Sequence, residues 1–89
     1  MVPMEEIESS LYVRTQVLDR PGVLGAMAME FGKEGVSIGS VIQESTDGKV
    51  AEIVWILHKA PEGRLQKALE AIGALEVVVE VSSVIRVLE

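Results

Sequence analysis

The chain has 89 residues, of which 48% are hydrophobic, and its formal net charge is −6 at pH 7. This length allows one domain, and the absence of cysteine excludes disulfides and thiolate metal sites, while eight scattered Lys and Arg residues argue against nucleic-acid binding. No apolar run approaches the roughly 20 residues that span a bilayer, and the N-terminus is acidic, unlike a signal peptide, so we expect a soluble, cytoplasmic protein.

The first ten residues, MVPMEEIESS, show no sustained period, and we interpret residues 1–10 as a linker or N-terminal arm. A frayed terminus explains them equally well. The folded domain is then expected over residues 11–89. Residues 11–18 alternate in polarity, which predicts a strand with Leu11, Val13 and Val17 on one face.

The tetrapeptide DRPG (residues 19–22) ends this strand and precedes a predicted helix. Apolar side chains follow it at helical spacing, and Gly35 is the candidate for a left-handed cap at the end of the helix. The apolar stripe consists of Val23, Leu24, Met27, Ala28 and Phe31.

Four further elements follow in chain order. Strands are predicted over 36–45 and 50–58, joined by a tight hairpin at TDGK (46–49), and the second of these strands is apolar enough for a buried central position. A second helix begins near 60–63 with Pro61 in its first turn, and Gly73 closes it. Its stripe is Leu65, Ala68, Leu69 and Ile72, and a last strand covers 77–88.

The order β-α-β-β-α-β predicts an α+β, ferredoxin-like fold, with a four-stranded antiparallel sheet and both helices on one face. The other face then has no helix to cover it. The last strand is apolar in both registers: Val78, Val84 and Leu88 form one set, and Val77, Val79, Val81, Ile85 and Val87 form the other. One set is therefore expected to face another subunit or domain.

The segment at 17–43, VLDRPGVLGAMAMEFGKEGVSIGSVIQ, resembles an ACT domain, a regulatory module that binds small molecules in amino-acid metabolism. The motif D/N-x-P-G-V-L stands at residues 19–24, and G-(V/I)-(N/S)-I stands at 35–38. With the order of elements, the resemblance covers residues 11–88.

A finer resemblance concerns the first 24 residues. The run PMEEIESSLYVRTQVLDRPGVL is similar to the junction between the catalytic part of homoserine dehydrogenase and its C-terminal ACT domain, and residues 40–43 and 83–89 resemble that enzyme's last strands. The pair Leu11-Tyr12 departs from the two tyrosines of the typical pattern. The resemblance implies an excised C-terminal domain, with the NAD(P)-binding and catalytic parts absent from this chain; a free-standing ACT regulator is the alternative.

The first motif is suited to binding a zwitterionic amino acid. Pro21 and Gly22 permit a sharp turn, and N–H groups at about 22–24 lie at the positive end of a helix dipole, where a carboxylate binds. Asp19 either accepts hydrogen bonds from the ligand's ammonium group or caps the helix. The predicted ligand-binding residues are Asp19, Arg20, Pro21, Gly22, Val23, Leu24, Ser37 and Ile38.

The resemblance places Ser37 opposite the cradle, on a neighbouring subunit, and Ile38 is then an apolar wall or part of the core. It implies L-threonine as feedback effector and a homodimer or a higher homo-oligomer. A structural dimerisation module without effector binding is the competing hypothesis.

No residue is predicted to be catalytic, no metal site is visible, and no cofactor is expected in this domain. His58 is the only histidine and is interpreted as a structural residue at the sheet edge. Trp55 is interpreted as a core residue or a subunit contact.

Overall fold

A computed structural model of the chain describes residues 8–45 and 48–87. Four strands and two helices occur in the order β1 (Glu8–Leu18), α1 (Val23–Lys33), β2 (Ile38–Ser45), β3 (Val50–Pro61), α2 (Glu62–Gly73) and β4 (Val78–Val87). The strands form one antiparallel sheet in the order β2-β3-β1-β4. This is the predicted ferredoxin-like arrangement, and β3 occupies the predicted central position.

The core lies between the helices and one face of the sheet. Every second side chain of β1 and β3 points into it because strand side chains alternate between faces. Trp55 lies at its centre, fully buried, with its ring centroid 5.1 Å from that of Phe31 on α1. The prediction that Trp55 is a core residue is therefore confirmed.

Both helix stripes face this core. Val23, Met27 and Phe31 of α1 are buried, as are Leu65, Ala68 and Ile72 of α2, while Leu24 is exposed and Ala28 and Leu69 are partly buried. Gly35 follows α1 at φ 70°, the predicted left-handed position. The predicted hairpin includes residues 46 and 47, which lie outside the described residues.

Several element boundaries differ from the prediction: β2 begins at Ile38 and not at 36, β4 begins at Val78 and not at 77, and larger differences occur at β1, β3 and α2. Residues 8–10 belong to β1 instead of the arm, with Ser9 buried beside β3, and residues 1–7 lie outside the described part. Strand β3 continues to Pro61, which is the N-cap of α2 and not a first-turn residue. Backbone pairing with β1 over Glu8–Ser9 extends both strands.

Strand β4 breaks the predicted alternation. Its register against β1 shifts at two places, so that Val78, Val81 and Val84 all pair with core-facing residues of β1 although they are three residues apart. Each shift inserts one extra residue, and such bulges rotate the following side chains to the other face. The predicted set that placed Val81 with Ile85 and Val87 is therefore wrong, whereas Ile85 and Val87 are exposed together.

Candidate functional site

The turn before α1 is built around Gly22. This residue is the N-cap of α1 and has φ 84° and ψ −6°, a left-handed conformation that side chains with a Cβ rarely adopt. Apart from the two chain neighbours of Gly22, no atom of the described residues lies within 4 Å of the position that a Cβ would occupy. The glycine therefore makes the turn possible and leaves open space above it.

The first turn of α1 presents backbone N–H groups without helical partners. Ala26 N–H donates to Gly22 O at 3.0 Å, and Val23 N–H lies 3.4 Å from Arg20 O. Within residues 8–45 and 48–87, the N–H groups of Gly22, Leu24 and Gly25 donate to no backbone carbonyl. In the described part of the chain, no side-chain hydrogen bond caps the helix, and its first turn contains no acidic residue, so these donors and the helix dipole favour an anion.

The side chains of the turn divide between solvent and core. Asp19, Arg20 and Pro21 are exposed, whereas the side chain of Val23 is buried, so that Val23 has only its backbone to offer a ligand. Pro21 lies one residue before the N-cap, and its ring fixes the backbone φ angle just before the left-handed Gly22.

The alternative role of Asp19 as helix cap is wrong. The N-cap is Gly22, three residues further on, and no side-chain hydrogen bond caps α1. Asp19 N–H instead donates to Lys49 O at 2.8 Å, which fastens the turn to the start of β3.

The second motif lies where the chain enters β2. Ser37 is exposed, and its carbonyl oxygen accepts a hydrogen bond of 2.9 Å from His58 N–H. Ile38 is half-buried and packs against the core, as the core alternative predicts. Ser37 is therefore held by the backbone of β3 with its side chain directed away from the core.

The two motifs lie at opposite ends of the sheet. Asp19 is bonded to Lys49 and Ser37 to His58, and these partners bracket most of β3. Nine residues at about 3.3 Å each separate them by roughly 30 Å. One copy of the chain therefore cannot bring both motifs to one small ligand.

Two features of the site are not evident from side-chain patterns. Gly25 N–H belongs to the unpartnered donors, which only the position of the N-cap reveals. Gly39 lies under the ring of His58, since a Cβ there would be 3.3 Å from Cε1 and 3.2 Å from Ile56 O. His58 is on β3, an inner strand, so its assignment to a sheet edge is wrong.

The described residues contain no group of three or more His, Asp or Glu side chains placed to hold a metal ion. In the same part of the chain, neither helix has the length and apolar character required to cross a membrane. The site is thus a backbone cradle with a few polar side chains around it.

The profile of the ACT domain family matches residues 11–77, and the chain belongs to this family. It is 44% identical to a homoserine dehydrogenase of Synechocystis sp. over 86 residues, which are 97% of this chain and 20% of the relative. A homoserine dehydrogenase of Mycobacterium tuberculosis is 43% identical over 97% of this chain and 21% of its own length. The chain spans about a fifth of these relatives and matches their C-terminal region.

Solved structures give the same result. A homoserine dehydrogenase from Thiobacillus denitrificans superposes with a TM-score of 0.81 and 28% identity over 99% of this chain and 19% of that one. The ACT domain from GTP pyrophosphokinase of Chlorobium tepidum gives a TM-score of 0.61 at 11% identity, covering 91% of this chain and 97% of that one. The second likeness shows the fold alone. This chain is an ACT regulatory domain resembling the C-terminal region of homoserine dehydrogenases.

Proposed function

We propose that this ACT domain binds one L-amino acid between two copies of the chain and regulates an attached enzyme. The observation that carries the proposal is the open N-terminus of α1, where Gly22, Leu24 and Gly25 have N–H groups available for a carboxylate. Asp19 is exposed beside this cradle and would accept hydrogen bonds from the ammonium group.

The second copy supplies what the first lacks. Because Ser37 lies at the far end of the sheet from Gly22, the hydroxyl that completes the site comes from Ser37 of the other copy. A ligand held in this way favours one arrangement of the two copies over another. This differential affinity is the means by which a binding event would reach an attached domain.

The relatives support L-threonine as the effector. They are homoserine dehydrogenases, and threonine is made from homoserine, so its binding would give feedback control. The chain would then be the regulatory part of an NAD(P)-dependent oxidoreductase, with neither catalysis nor the nucleotide cofactor in this domain.

The competing function is a structural module that only holds enzyme subunits together. The exposed apolar side chains on the uncovered sheet face, including Tyr12, Ile42 and Ile85, favour assembly whether or not an effector binds. The two functions differ in whether the cradle at Gly22 has an occupant.

Titration calorimetry of the 89-residue chain with L-threonine, combined with its mass by light scattering, tests the proposal. L-Serine, L-isoleucine and L-lysine are the comparison ligands. Saturable binding of one threonine per protomer, or one per dimer, supports an effector site. A clean dimer that binds none of the four would leave the structural module as the function.

A matched pair of variants locates the binding. Asparagine tolerates a left-handed conformation, so Gly22→Asn fills the space above the turn at little cost to the fold. Gly48→Asn makes the same change at another glycine with positive φ (86°) and open space around it. Loss of binding in the first variant alone, with unchanged mass, places the ligand at α1.

A further inference from the structure

His58, the single histidine of the chain, lies directly opposite Ser37 on the neighbouring strand. The register that pairs Ile38 with Leu57 continues to these two residues, and the bond of 2.9 Å from His58 N–H to Ser37 O belongs to it. Directly opposed residues of an antiparallel pair project to the same face, with Cβ atoms about 4.5–5.5 Å apart. It is the uncovered face, because Leu57 points into the core. The hydroxyl of Ser37 and the imidazole of His58 are therefore neighbours.

A β-bulge in β2 makes room for the imidazole ring. The pairing with β3 shifts between Ile38 and Ser40, so that Gly39 is the extra residue. A Cβ on Gly39 would lie 3.3 Å from Cε1 and 3.4 Å from Nε2 of His58, and 3.2 Å from Ile56 O. The ring thus lies close against the glycine, and a larger residue at this position would crowd it.

The imidazole carries hydrogen-bonding groups that the fold does not use. The side chain of His58 is exposed, and within residues 8–45 and 48–87 neither ring nitrogen has a hydrogen-bond partner. Ser37 is exposed beside it. A neutral imidazole has one donor and one acceptor, and a serine hydroxyl both donates and accepts. A ligand atom that reaches these two side chains therefore finds a donor and an acceptor together.

The ligand's side chain is the group left for this pair to recognise. In the proposed effector site, on which this inference rests, the carboxylate binds at Gly22 and the ammonium group at Asp19 of one copy. Ser37 and His58 come from the other copy and face what remains of the ligand. Lys59, the exposed neighbour of His58 in the chain, is a cation and disfavours an ammonium group at this end.

We propose that His58 recognises a hydroxyl group on the side chain of the effector, together with Ser37 of the same copy. A hydroxyl donates and accepts, so it satisfies either imidazole nitrogen, whichever carries the proton. A methyl group in its place leaves these polar groups unpaired once the ligand has displaced water, and this cost produces the discrimination. The effector class is therefore an amino acid with a side-chain hydroxyl, and L-valine, which has the shape of L-threonine, is rejected.

Calorimetry with L-threonine and L-valine measures this discrimination, because the two ligands differ by one hydroxyl in place of one methyl group. The wild-type chain should bind threonine about tenfold more tightly. His58→Phe keeps a ring and removes both nitrogens, so it should weaken threonine binding by about three- to tenfold and leave valine binding unchanged. Tyr12→Phe is the matched control, because it removes a hydroxyl from the same face, in the row of Ile56, and should keep the preference.

Gly39→Ala tests the position of the ring without changing its chemistry. Gly39 does not belong to the glycines with positive φ, so its backbone accepts alanine, but the new Cβ would displace the imidazole. Threonine binding should weaken several-fold, and valine binding should change little. Thermal unfolding of the variant checks that the domain remains folded.

NMR gives a readout on the wild-type chain itself. Because His58 is the only histidine, every imidazole signal of the chain belongs to it. The chemical shifts of the two ring nitrogens respond to proton position and to hydrogen bonding. Saturation with L-threonine should move them, whereas L-valine at saturation should leave them close to their values in the free protein.

The outcomes separate this inference from the proposed function. Threonine binding with an unchanged preference in His58→Phe overturns the role of His58 and leaves the effector site standing. Equal weakening of threonine and valine overturns it as well, since the ring then contacts a group that both ligands share. A wild-type chain that binds the two equally removes the hydroxyl recognition. A wild-type chain that binds neither contradicts the effector site, and the role of His58 with it.

Discussion

Glu62 and Arg86 form an ion pair that joins the start of α2 to the end of β4, with 2.6 Å between Glu62 Oε1 and Arg86 Nε. The carboxylate is almost completely buried, and its second oxygen has no hydrogen-bond partner among the described residues. Arg86 is half exposed and is the cation that compensates the buried charge. This ion pair therefore holds α2 and β4 together, and Arg86 offsets the cost of burying the carboxylate of Glu62.

Arg86→Met should lower the free energy of unfolding by about 2 kcal/mol, because a buried carboxylate that loses its partner retains its desolvation cost. Urea denaturation followed by the fluorescence of Trp55, the single tryptophan, measures this change. The double variant Glu62→Gln with Arg86→Met should recover part of the loss, since the buried charge is then gone.

Arg14→Met serves as the comparison for this pair. It breaks the ion pair with Glu52, in which Arg14 is mostly exposed, and exposed pairs contribute at most about 1 kcal/mol. A loss at Arg14 equal to that at Arg86 would contradict the importance assigned to burial.

Two glycines at the end of α1 should respond to alanine in opposite directions. Gly32 is helical and has open space around it, so Gly32→Ala should stabilise the domain by about 0.5–1 kcal/mol. Gly35 has φ 70°, and a Cβ there would lie 2.9 Å from Arg64 Nη1. Gly35→Ala should therefore destabilise it by about 1–2 kcal/mol. Thermal unfolding of both variants provides the measurement, and a stabilising Gly35→Ala would refute the helix ending described.

Thr15→Val should cost about 1 kcal/mol of stability. Thr15 Oγ1 donates a buried hydrogen bond of 2.8 Å to Ile53 O, and valine keeps the shape while removing the donor. Ser82→Ala is the exposed counterpart, because it removes a bond of 3.1 Å to Arg14 O and should change stability by less than about 0.5 kcal/mol. Chemical denaturation of the two variants in parallel distinguishes buried from exposed bonds; equal costs would count against this explanation.

Ser37→Ala should weaken L-threonine binding several-fold while leaving the fold intact, because the exposed hydroxyl is available to a ligand and makes no described bond to the core. Ser40→Ala, three residues along the same segment, is the control. Calorimetry should show normal affinity for Ser40→Ala. Equal affinity in the two variants would remove Ser37 from the site.

Much of the fold follows from residue patterns that act locally. The apolar residues of α1 recur at helical spacing and do face the core, and Gly35 adopts the left-handed conformation expected of a glycine after a helix. The alternation of residues 11–18 likewise predicts β1, because one face is fully buried and the other is not.

The structural features that these local patterns do not predict depend on pairing between strands. The core-facing positions of β4 depend on two register shifts against β1, and no local pattern marks the extra residues. Residues 8–10 form a strand because Glu8 and Ser9 pair with β3 and Ser10 pairs with β4, although their own composition is typical of a linker.

The candidate site was only partly predictable for a related reason. Gly22 and Pro21 mark the turn, but the donors are backbone N–H groups, which every residue except proline has. The roughly 30 Å between the two motifs is a property of the assembled sheet, and it cannot be obtained from their distance of about fifteen residues in the chain.

The antiparallel sheet also determines at which end of the domain an attached polypeptide would act. Ser10 pairs with Val87, so the first and last described strands meet at the same end, opposite the turn at Gly22. A polypeptide joined before Glu8 or after Val87 would attach at that end of the sheet. Strand β1 runs from there to the turn at Gly22. If the proposed effector site regulates an attached domain, a displacement at the turn before α1 would reach that end of the sheet through β1 moving as a stiff element.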